Sequence, residues 1–566
     1  MHISGRFPAQ IIRSACALLL VSAVAIAQVD EARQAIDRGE YVRAVNILSQ
    51  ALADQPSPDV YLYLGIAYGH IKENQKAEDV LREGSRRYPE DSRFHAELAN
   101  LFLDINDVEA AKSELKLVLA VDPTNNFASD QLATIDMSRG EVQGALRAWN
   151  KSGRPYINDI LHNYYLNYGS WVVKRAVAFR PAGTLRYSQW RTTEARLFET
   201  GNFTNVGLEI EPTRIPDQYN AVVRTTRKTN TLPDFAFNIL KGAVYETSYV
   251  NVWNIANTGM NFNGDYRWST NKRRLDGALK IPLPLAGLSF VDVGSTWRSE
   301  NWNTSIQIEP QFQQSALFKY GATDIFARFK TIPNYRVELA GGFVYKNRYA
   351  NGNIPQLVLN SQNTGKFIAE TNLRLNDGTY QNRLHVEAFA ARPSIIGNTQ
   401  FNGGVAELNN RVTFSKETRA YFDWSVKGGT VRGNNIPVDE YFVLGLDTIP
   451  NINVLRAHTA SRFGKYGDGP MGTDFVLVNT DFERRLATIP FFNNLNIPYV
   501  QAKWEVFVDG AKTWDRQHVF QPSELLIDIG GGIRLETPTH SFNLIYGKSL
   551  QDGRNVFYGY VEKRLW

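Results

Sequence analysis

Three glycines in the C-terminal part of the chain have the spacing of a phosphate-binding turn. Gly467, Gly469 and Gly472 satisfy the pattern G-x-G-x-x-G. In dinucleotide-binding proteins that turn joins a strand to a helix, and the amide groups at the start of the helix hold the phosphates. Here Pro470 lies inside the pattern, and the residues that follow predict a strand. The spacing therefore predicts no nucleotide site.

Nucleophiles and metal ligands are the next residues that could support chemistry. The sequence has no Gly-x-Ser-x-Gly motif, and its histidines are scattered without the pairing of a metal site. Its one cysteine, Cys16, lies in a segment that we expect to be removed, so we predict no disulfide and no thiolate-bound metal. These features favour a protein that is not an enzyme and binds no cofactor.

Charged side chains that alternate with apolar ones form the most extensive chemical pattern. In one such segment the polar set is Gln501, Lys503, Glu505 and Asp509, with mostly apolar residues between them. A period of two predicts a strand with one apolar and one polar face. Residues 367–375 and 384–390 show the same alternation on either side of the turn Asn376-Asp377-Gly378. The apolar face suits lipid, and the charged face suits a wet lumen.

We therefore predict that residues 231–566 form a transmembrane antiparallel β-barrel of about 16 strands. By length alone, about fourteen or about eighteen strands would fit nearly as well. A soluble β-sandwich is the alternative fold. It would not explain an export signal together with the terminal Trp566, whereas a barrel needs its last strand paired with its first.

The N-terminus predicts export. Arg6 and Arg13 precede a short apolar run that ends in Ala25-Ile26-Ala27, which together form a secretory signal peptide over residues 1–27. The alternative is a membrane anchor, but the run is shorter than the about 20 apolar residues that a spanning helix needs. Cleavage would lower the formal charge from +5 to +3, which indicates no nucleic-acid partner.

Residues 28–153 predict an α-helical solenoid. Small residues, a leucine four positions later and a closing proline recur with a period of about 34 residues. The repeated positions are Ala44, Leu48 and Pro56, then Ala77, Leu81 and Pro89, then Ala111, Leu115 and Pro123. This pattern resembles the tetratricopeptide repeat, and a generic helical bundle is the alternative. The resemblance implies a concave surface for a peptide or protein partner.

Residues 154–230 predict a small α/β module. We expect strands over residues 172–179, 202–211 and 219–227, with a helix over residues 185–198. The positions Leu197, Gly201, Phe203 and Val206 resemble the last polypeptide-transport-associated (POTRA) domain of BamA-type barrels. A plain α/β linker is the alternative.

Four further pieces, in a fixed order, resemble the BamA-like (bacterial surface antigen) superfamily of outer-membrane barrels. They are Leu455-Arg456-Ala457-His458, Asn479-x-Asp481-x-Glu483, Phe507-Val508-Asp509-Gly510 and the ending from Gly532 to the final aromatic strand. The family has Val-Arg-Gly-Phe/Tyr in the first piece and Asn-x-Glu-x-Arg in the second. The arginine is therefore kept, while Ala457 and His458 replace the glycine and the aromatic residue.

The resemblance implies a loop that folds back into the lumen and is locked there. Arg456 at the loop tip would meet Asp509, with Asn479, Asp481 and Glu483 on the neighbouring strand. A guanidinium offers a planar fork that carboxylates accept bidentately, so it fixes geometry better than a lysine. The alternative is that Arg456 is an ordinary arginine of an external loop.

The last strand carries the barrel-ending signal. Every second residue, counted back from the end, is Trp566, Arg564, Glu562, Tyr560 and Tyr558. Trp566, Tyr560 and Tyr558 fit the signal, but Glu562 and Arg564 lie where the family has apolar residues. The final strand therefore predicts a seam with the first strand that is weak enough for a client strand to pair there.

These expectations combine into an outer-membrane protein with its N-terminal domains in the periplasm. The resemblance implies assistance with protein insertion or translocation. The expected partners are outer-membrane lipid and periplasmic client or accessory proteins, which the repeats and the POTRA-like module would bind. Three alternatives stay open: secretion of one dedicated client, a polysaccharide or other export porin with tetratricopeptide repeats, and a surface protein that uses the barrel only as an anchor.

Overall fold

The computed structural model describes the chain from residue 27 to residue 563 with internal gaps. The described residues are 27–162, 170–216, 218–240, 246–309, 312–352, 363–393, 395–397, 399–415, 419–434, 436–445, 454–458, 461–462, 465–466, 469–490, 499–537 and 540–563. They divide into two compact units: residues up to 159 with 181–187 and 210–221, and residues 160–180 and 188–209 with 222 onward. Apart from Ala27, the predicted signal peptide lies outside the described residues.

The N-terminal unit contains the predicted helical repeats. Its helices are α1 (residues 27–37), α2 (Tyr41–Asp54), α3 (Pro58–His70), α4 (Asn74–Arg87), α5 (Arg93–Asp104), α6 (Val108–Val121), α7 (Asn126–Ser138) and α8 (Val142–Trp149), with a 3-10 turn at Asn150–Ser152. Glycine permits the close crossings: a Cβ on Gly65 would lie 2.4 Å from Leu81, and one on Gly84 would lie 2.4 Å from Phe94. None of the helices in the described residues has the length and apolar character to cross a membrane.

A small α/β segment follows the helices. Its elements are β1 (Tyr156–His162), α9 (Ser170–Ala176), β2 (Gly183–Thr184), α10 (Tyr187–Glu199), β3 (Phe203–Pro212) and β4 (Gln218–Arg227). The strands form a sheet in the order β2-β1-β4-β3. The strand predicted over residues 172–179 is wrong, because α9 occupies most of it. Val172, Val173 and Ala176 are buried there, at the spacing of one helix face, and this burial outweighs the strand preference of two adjacent valines.

The C-terminal part is a closed barrel in which long strands that follow one another along the chain are antiparallel. Its long strands are β5 (Thr247–Ile255), β6 (Met260–Trp268), β7 (Lys272–Leu283), β8 (Ser289–Glu309), β9 (Phe312–Asn334), β10 (Val337–Gly352), β11 (Asn363–Asp377), β12 (Tyr380–Ala391), β13 (Gln400–Ser415), β14 (Ala420–Asn434), β19 (Asp474–Pro490), β20 (Tyr499–Trp514), β21 (Leu526–Glu536), β22 (His540–Ser549) and β23 (Asn555–Lys563). Four two-residue strands lie between β14 and β19: β15 (Phe442–Val443), β16 (Ser461–Arg462), β17 (Lys465–Tyr466) and β18 (Met471–Gly472).

The described residues contain fifteen long strands, which agrees with the predicted number of about 16. The region after residue 230 opens with helix α11 (Leu232–Leu240) instead of a strand. Thr231 and Asp234 explain the helix, since each side chain accepts from the other's backbone amide, at 2.9 Å and 3.4 Å, as in a capping box. The helix packs beside β5, where Asn230 exchanges two hydrogen bonds with the backbone of Trp253.

The odd number of strands fixes how the barrel closes. Every pairing from β5 round to β23 is antiparallel, and there are fourteen of them. Each antiparallel pairing reverses the strand direction, and fourteen reversals leave β23 with the same direction as β5. These two strands are neighbours where the barrel closes. The closure is therefore parallel, unlike every other junction between long strands.

The predicted alternation of faces is confirmed in the strands that position the candidate site. In β20, Gln501, Lys503 and Asp509 are almost wholly buried, whereas Val506 and Val508 are each 48% exposed. The charged set faces the lumen and the apolar set faces outward, as a period of two requires.

Candidate functional site: a loop inside the barrel lumen

A long loop over residues 435–473 connects β14 and β19, which also pair directly with each other. Because the two strands are adjacent, a short turn would be enough to connect them. The length of the loop therefore needs another explanation. Its described segments contact the inner wall of the barrel at two separate places. We call these the tip contact, around Arg456, and the base contact, at Asp439 and Glu440.

The tip contact centres on one guanidinium. Arg456 Nε donates to Asp509 Oδ2 at 2.8 Å, and Nη2 donates to the other oxygen of the same carboxylate. The backbone amide of Arg456 donates to Asp509 Oδ2 as well, at 3.0 Å. Both side chains are almost inaccessible to water. The pair is bidentate, which fixes the orientation of the loop tip as well as its position.

Neighbouring residues of β19 and β20 complete the tip contact. Arg456 Nη1 donates to Asp481, and the guanidinium lies 3.8 Å from the ring centroid of Phe507. Asn479 Nδ2 donates to Asp509 Oδ1 at 2.8 Å and to the carbonyl oxygen of Val454 at 2.9 Å. One strand residue therefore holds both the acid and the loop backbone.

Glu483, the remaining predicted residue, belongs to a different set of ion pairs. It lies in the same strand and faces the lumen, but its carboxylate accepts from Lys503 at 3.0 Å and from Arg534. Arg411 approaches it to 3.8 Å. The structure therefore brings together Arg456, Asp509, Asp481 and Asn479, and assigns Glu483 to a separate ion-pair cluster of the wall.

Ala457 and His458, which depart from the family pattern, both contact Asp528. The amide of Ala457 donates to Asp528 Oδ2 at 2.6 Å, and His458 Nδ1 lies 3.1 Å from the same oxygen. A Cβ on Gly547 would lie 2.7 Å from the carbonyl oxygen of Arg456, so the loop tip presses on a bare backbone. Sequence reasoning missed Asp528 and Gly547, although glycines on the lumen face of neighbouring strands signal such a close approach.

The base contact has the opposite charge arrangement, and sequence reasoning missed it too. Here the loop supplies the acids and the wall supplies the cations. Asp439 accepts from Arg298 at 2.7 Å, Lys346 at 2.9 Å and Arg348 at 2.7 Å. Glu440 accepts from Lys366 and Arg348, each at 2.8 Å. These cations lie on β8, β10 and β11.

The charges of the base contact favour ionised acids. Burial would raise the pKa of Glu440, but Lys366 and Lys346 outweigh it and lower the pKa to about 2. Asp439 shows the same balance, and Arg348, Lys346 and Arg298 hold the pKa of that carboxyl well below its usual range. Both acids are therefore charged at neutral pH.

At the opposite end of the barrel, helix α10 is fastened to the turns between strands. Arg196 donates to the carbonyl oxygens of Ile332 at 3.0 Å, and of Ala286 and Pro333 at 3.2 Å. A Cβ on Gly287 would lie 2.4 Å from the Arg196 guanidinium, and Gly287 adopts φ +87°, so only glycine suits that position. The contact uses backbone acceptors of the turn between β7 and β8 and of the last residues of β9.

Glu199, at the end of the same helix, forms a second fastening. Its carboxylate accepts from Lys280 and from Lys330, the latter at 2.9 Å. Burial would raise the pKa of Glu199, but the two lysines lower it to about 2. The helix end is thus tied to β7 and β9 by a charged triad.

The residues of the predicted terminal signal are only partly described. Tyr558 lies in β23 and packs against the buried pair Phe507 and Ile545. The backbone of Tyr560 pairs with that of Asn543. Trp566 lies outside the described residues. In the described part of the chain, no group of three or more His, Cys, Asp or Glu side chains is arranged to hold a metal ion.

Comparisons with known proteins agree with both halves of this architecture. The tetratricopeptide repeat family matches residues 35–101. CdiB from Escherichia coli has a TM-score of 0.50 and 12% identity, over 77% of this chain and 87% of that chain. CdiB from Acinetobacter baumannii has a TM-score of 0.48 and 11% identity, over 79% and 81%. BamA from Haemophilus ducreyi lacking POTRA domains 1–3 has a TM-score of 0.42 and 11% identity, over 73% and 85%.

No curated protein matches the chain. At 12% identity the likeness to CdiB from Escherichia coli concerns the fold, and the repeat match concerns the N-terminal helices. Together they show tetratricopeptide repeat helices N-terminal to a barrel of the fold found in CdiB.

Proposed function

We propose that this protein is an outer-membrane barrel that assists the insertion or translocation of proteins, with a lumen closed at rest by the 435–473 loop. Its N-terminal helices and α/β segment would lie in the periplasm and bind client or accessory proteins. The barrel strands would face outer-membrane lipid.

The observation that carries this proposal is the double anchoring of the loop. The tip contact lies on β19 and β20, and the base contact lies on β8, β10 and β11. Five long strands separate β10 from β20 in one direction and eight in the other, so the anchors lie on well-separated parts of the wall. A loop tied to both parts crosses the lumen. A passive export porin needs an open lumen, and this arrangement opposes that alternative.

The α/β segment supports a POTRA-like module. Apart from the two-residue β2, its elements follow the order strand, helix, helix, strand, strand, and β3 lies at the edge of the sheet. An edge strand presents unpaired backbone groups to which an extended client can add a strand. The predicted tetratricopeptide surface would offer a second, helical contact for the same clients.

Depletion of the protein in its native host tests the function. We expect other outer-membrane barrels, or one secreted client, to disappear from the membrane or the medium while surface polysaccharide stays normal. Re-expression of the wild-type chain should restore them. Loss of surface polysaccharide with a normal set of barrels would support the export porin instead, and an unchanged envelope would support the anchor alternative.

A further inference from the structure

The outer face of the barrel wall carries a groove of about 1080 Å³ at the end where the 435–473 loop begins. Its floor lies on β12, β13 and β14 and consists of Ala388, Gly404, Ala406 and Gly428. These four residues face outward, and the register pairs Ala388 with Gly404 and Ala406 with Gly428. Because small side chains stand where other outward positions carry valine or leucine, the wall is locally thinner.

Larger apolar side chains border the floor. Val386 and Trp514 are each 38% exposed and Val476 is 42% exposed, and all three line the groove. In a membrane this surface meets hydrocarbon, not water. The volume is slightly above the roughly 300–1,000 Å³ typical of small-molecule pockets. The groove therefore has the size and polarity to take up an acyl chain.

Two exposed guanidinium groups lie at the rim of the groove, where they share one acid. Asp474 accepts from Arg432 at 2.9 Å and from Arg516 at 3.2 Å, so one carboxylate is shared by two guanidinium groups. Their side chains are 41% and 66% exposed, and both can donate to a further acceptor. Lys512, on the outer face of β20, lies 5.5 Å from the ring centroid of the lining residue Trp514.

We propose that the groove binds an anionic lipid whose phosphate contacts Arg432 and Arg516 and whose acyl chain lies over Gly428. The inference rests on the proposed outer-membrane location. Under it, this end of the barrel lies in the outer leaflet, and the occupant is a phosphorylated, acylated glycolipid of the lipid A type. Arginine forks match phosphate oxygens bidentately, and aromatic and aliphatic walls match the chain.

Filling the floor tests the acyl-chain half of the site. We expect Gly428→Leu to reduce the binding of lipid A to the purified full-length protein by about tenfold, the loss that corresponds to about 1.4 kcal/mol. A Cβ on Gly428 has Phe475 O at 3.5 Å as its nearest neighbour, so the backbone can accept the substitution. Binding is measured by native mass spectrometry in detergent.

Gly341→Leu is the matched control for that variant. Gly341 faces outward on β10, away from the groove, and its Cβ would have Ile368 O at 3.6 Å as its nearest neighbour. The control should bind lipid A like the wild type. If Gly428→Leu also binds lipid A like the wild type, the groove does not hold the chain and the proposal fails.

The headgroup half is tested by a double variant, Arg432→Ala with Arg516→Ala. Loss of charge-assisted hydrogen bonds should weaken lipid A binding by about tenfold or more. Arg554→Ala is the control, since Arg554 lies at the same end of the barrel and pairs with Asp552 at 2.7 Å. Phosphatidylcholine should bind weakly to every form. Equal binding of phosphatidylcholine and lipid A, or an unaffected double variant, would overturn the proposal.

This measurement is independent of protein translocation. A protein that binds lipid A at the groove but whose depletion leaves other envelope proteins intact would retain the lipid site and lose the proposed function. A protein that supports envelope assembly but binds no lipid A would show the reverse.

Discussion

The buried guanidinium of Arg456 donates to two carboxylates inside the lumen, with an aromatic face beside it. Truncation of this side chain would leave Asp509 buried without its cation. Breaking a buried pair in this way costs about 3–5 kcal/mol, because the remaining charge stays desolvated. The substitution would therefore destabilise the position of the loop and not the barrel, because the strand ladders do not involve the Arg456 side chain.

We expect Arg456→Ala to leave the barrel assembled and to raise its single-channel conductance in planar bilayers. Arg456→Lys should be intermediate, because an ammonium group cannot bond one carboxylate bidentately. Lys319→Ala, on the exposed outer face of β9, is the control and should conduct like the wild type. Heat-modifiable gel migration reports assembly. An assembled Arg456→Ala barrel with wild-type conductance would contradict the plugged lumen.

Acidification should release the base contact. The pKa of Glu440 is depressed to about 2, so its ionised form stabilises the folded loop above the ordinary glutamate range of about 4.3. That stabilisation is lost as the pH falls through about 4 towards 2. We expect conductance to stay constant from neutral pH to about 5 and to rise below about 4.

Glu440→Gln is the matched variant for the pH measurement. It lacks the titrating group, so its conductance should be raised at neutral pH and should change less on acidification. A wild-type conductance that stays flat down to pH of about 2 would show that the base contact does not hold the loop.

The tip contact could be predicted from the sequence, whereas the base contact could not. Arg456, Asp481 and Asp509 could be predicted, because strand alternation assigns the acids to the lumen face and a motif marks the arginine. Asp439 and Glu440 could not, since a 3-10 turn in a loop has no period that reveals which wall it meets. Only the path of the loop brings them to cations on β8, β10 and β11.

At the scale of elements, α10 is the helix whose attachment depends on charge. Glu199→Gln would remove the acid of a buried triad while Lys280 and Lys330 stay in place. Hydrogen bonds to charged groups contribute about 1.5–3 kcal/mol each, so we expect backbone amides of residues 188–199 to exchange at least about tenfold faster. The measurement is hydrogen–deuterium exchange of the full chain.

Glu194→Gln is the control in the same helix. Glu194 pairs with Arg191 one turn away within the helix, whereas Glu199 pairs with two lysines of the barrel strands. Its substitution should change exchange little, because helix pairs of this kind are worth about 0.3–0.5 kcal/mol. Equal exchange in both variants would contradict the fastening role of Glu199.

Two elements were predicted poorly for different reasons. For α9, the local residue preference favours a strand, but a helix forms because it buries Val172 and Ala176 on one face. For α11, the Thr231-x-x-Asp234 capping box was visible in the sequence, and it places a helix where a first strand was expected. A capping box can be recognised from a few consecutive residues of the sequence. Burial cannot, because it depends on residues that are distant in the sequence.

For the molecule as a whole, the closure between β5 and β23 is the junction that differs from the rest. Parallel pairs have slanted hydrogen bonds and are slightly less stable per residue than antiparallel pairs. We expect amides of residues 247–255 and 555–563 to exchange faster than those of the β14 and β19 pair in hydrogen–deuterium exchange. Equal protection of the two junctions would contradict a weak seam.

Strand number could not be derived from length, because sixteen strands and fifteen strands with a leading helix occupy the same stretch of chain. The alternation of faces, by contrast, followed from the sequence at β20, where lumen-facing and outward residues are those that a period of two predicts.

The parallel closure also determines how the barrel responds to force. In a closed ring every junction carries the same circumferential tension, so an expanding load from inside separates the weakest junction first. Here that junction is set by parity: an odd ring of strands must contain one parallel joint, and its location is fixed where the chain's first and last strands meet. Substitutions that strengthen other junctions therefore change neither the tension that the barrel withstands nor the place where it opens, which is the joint between β5 and β23.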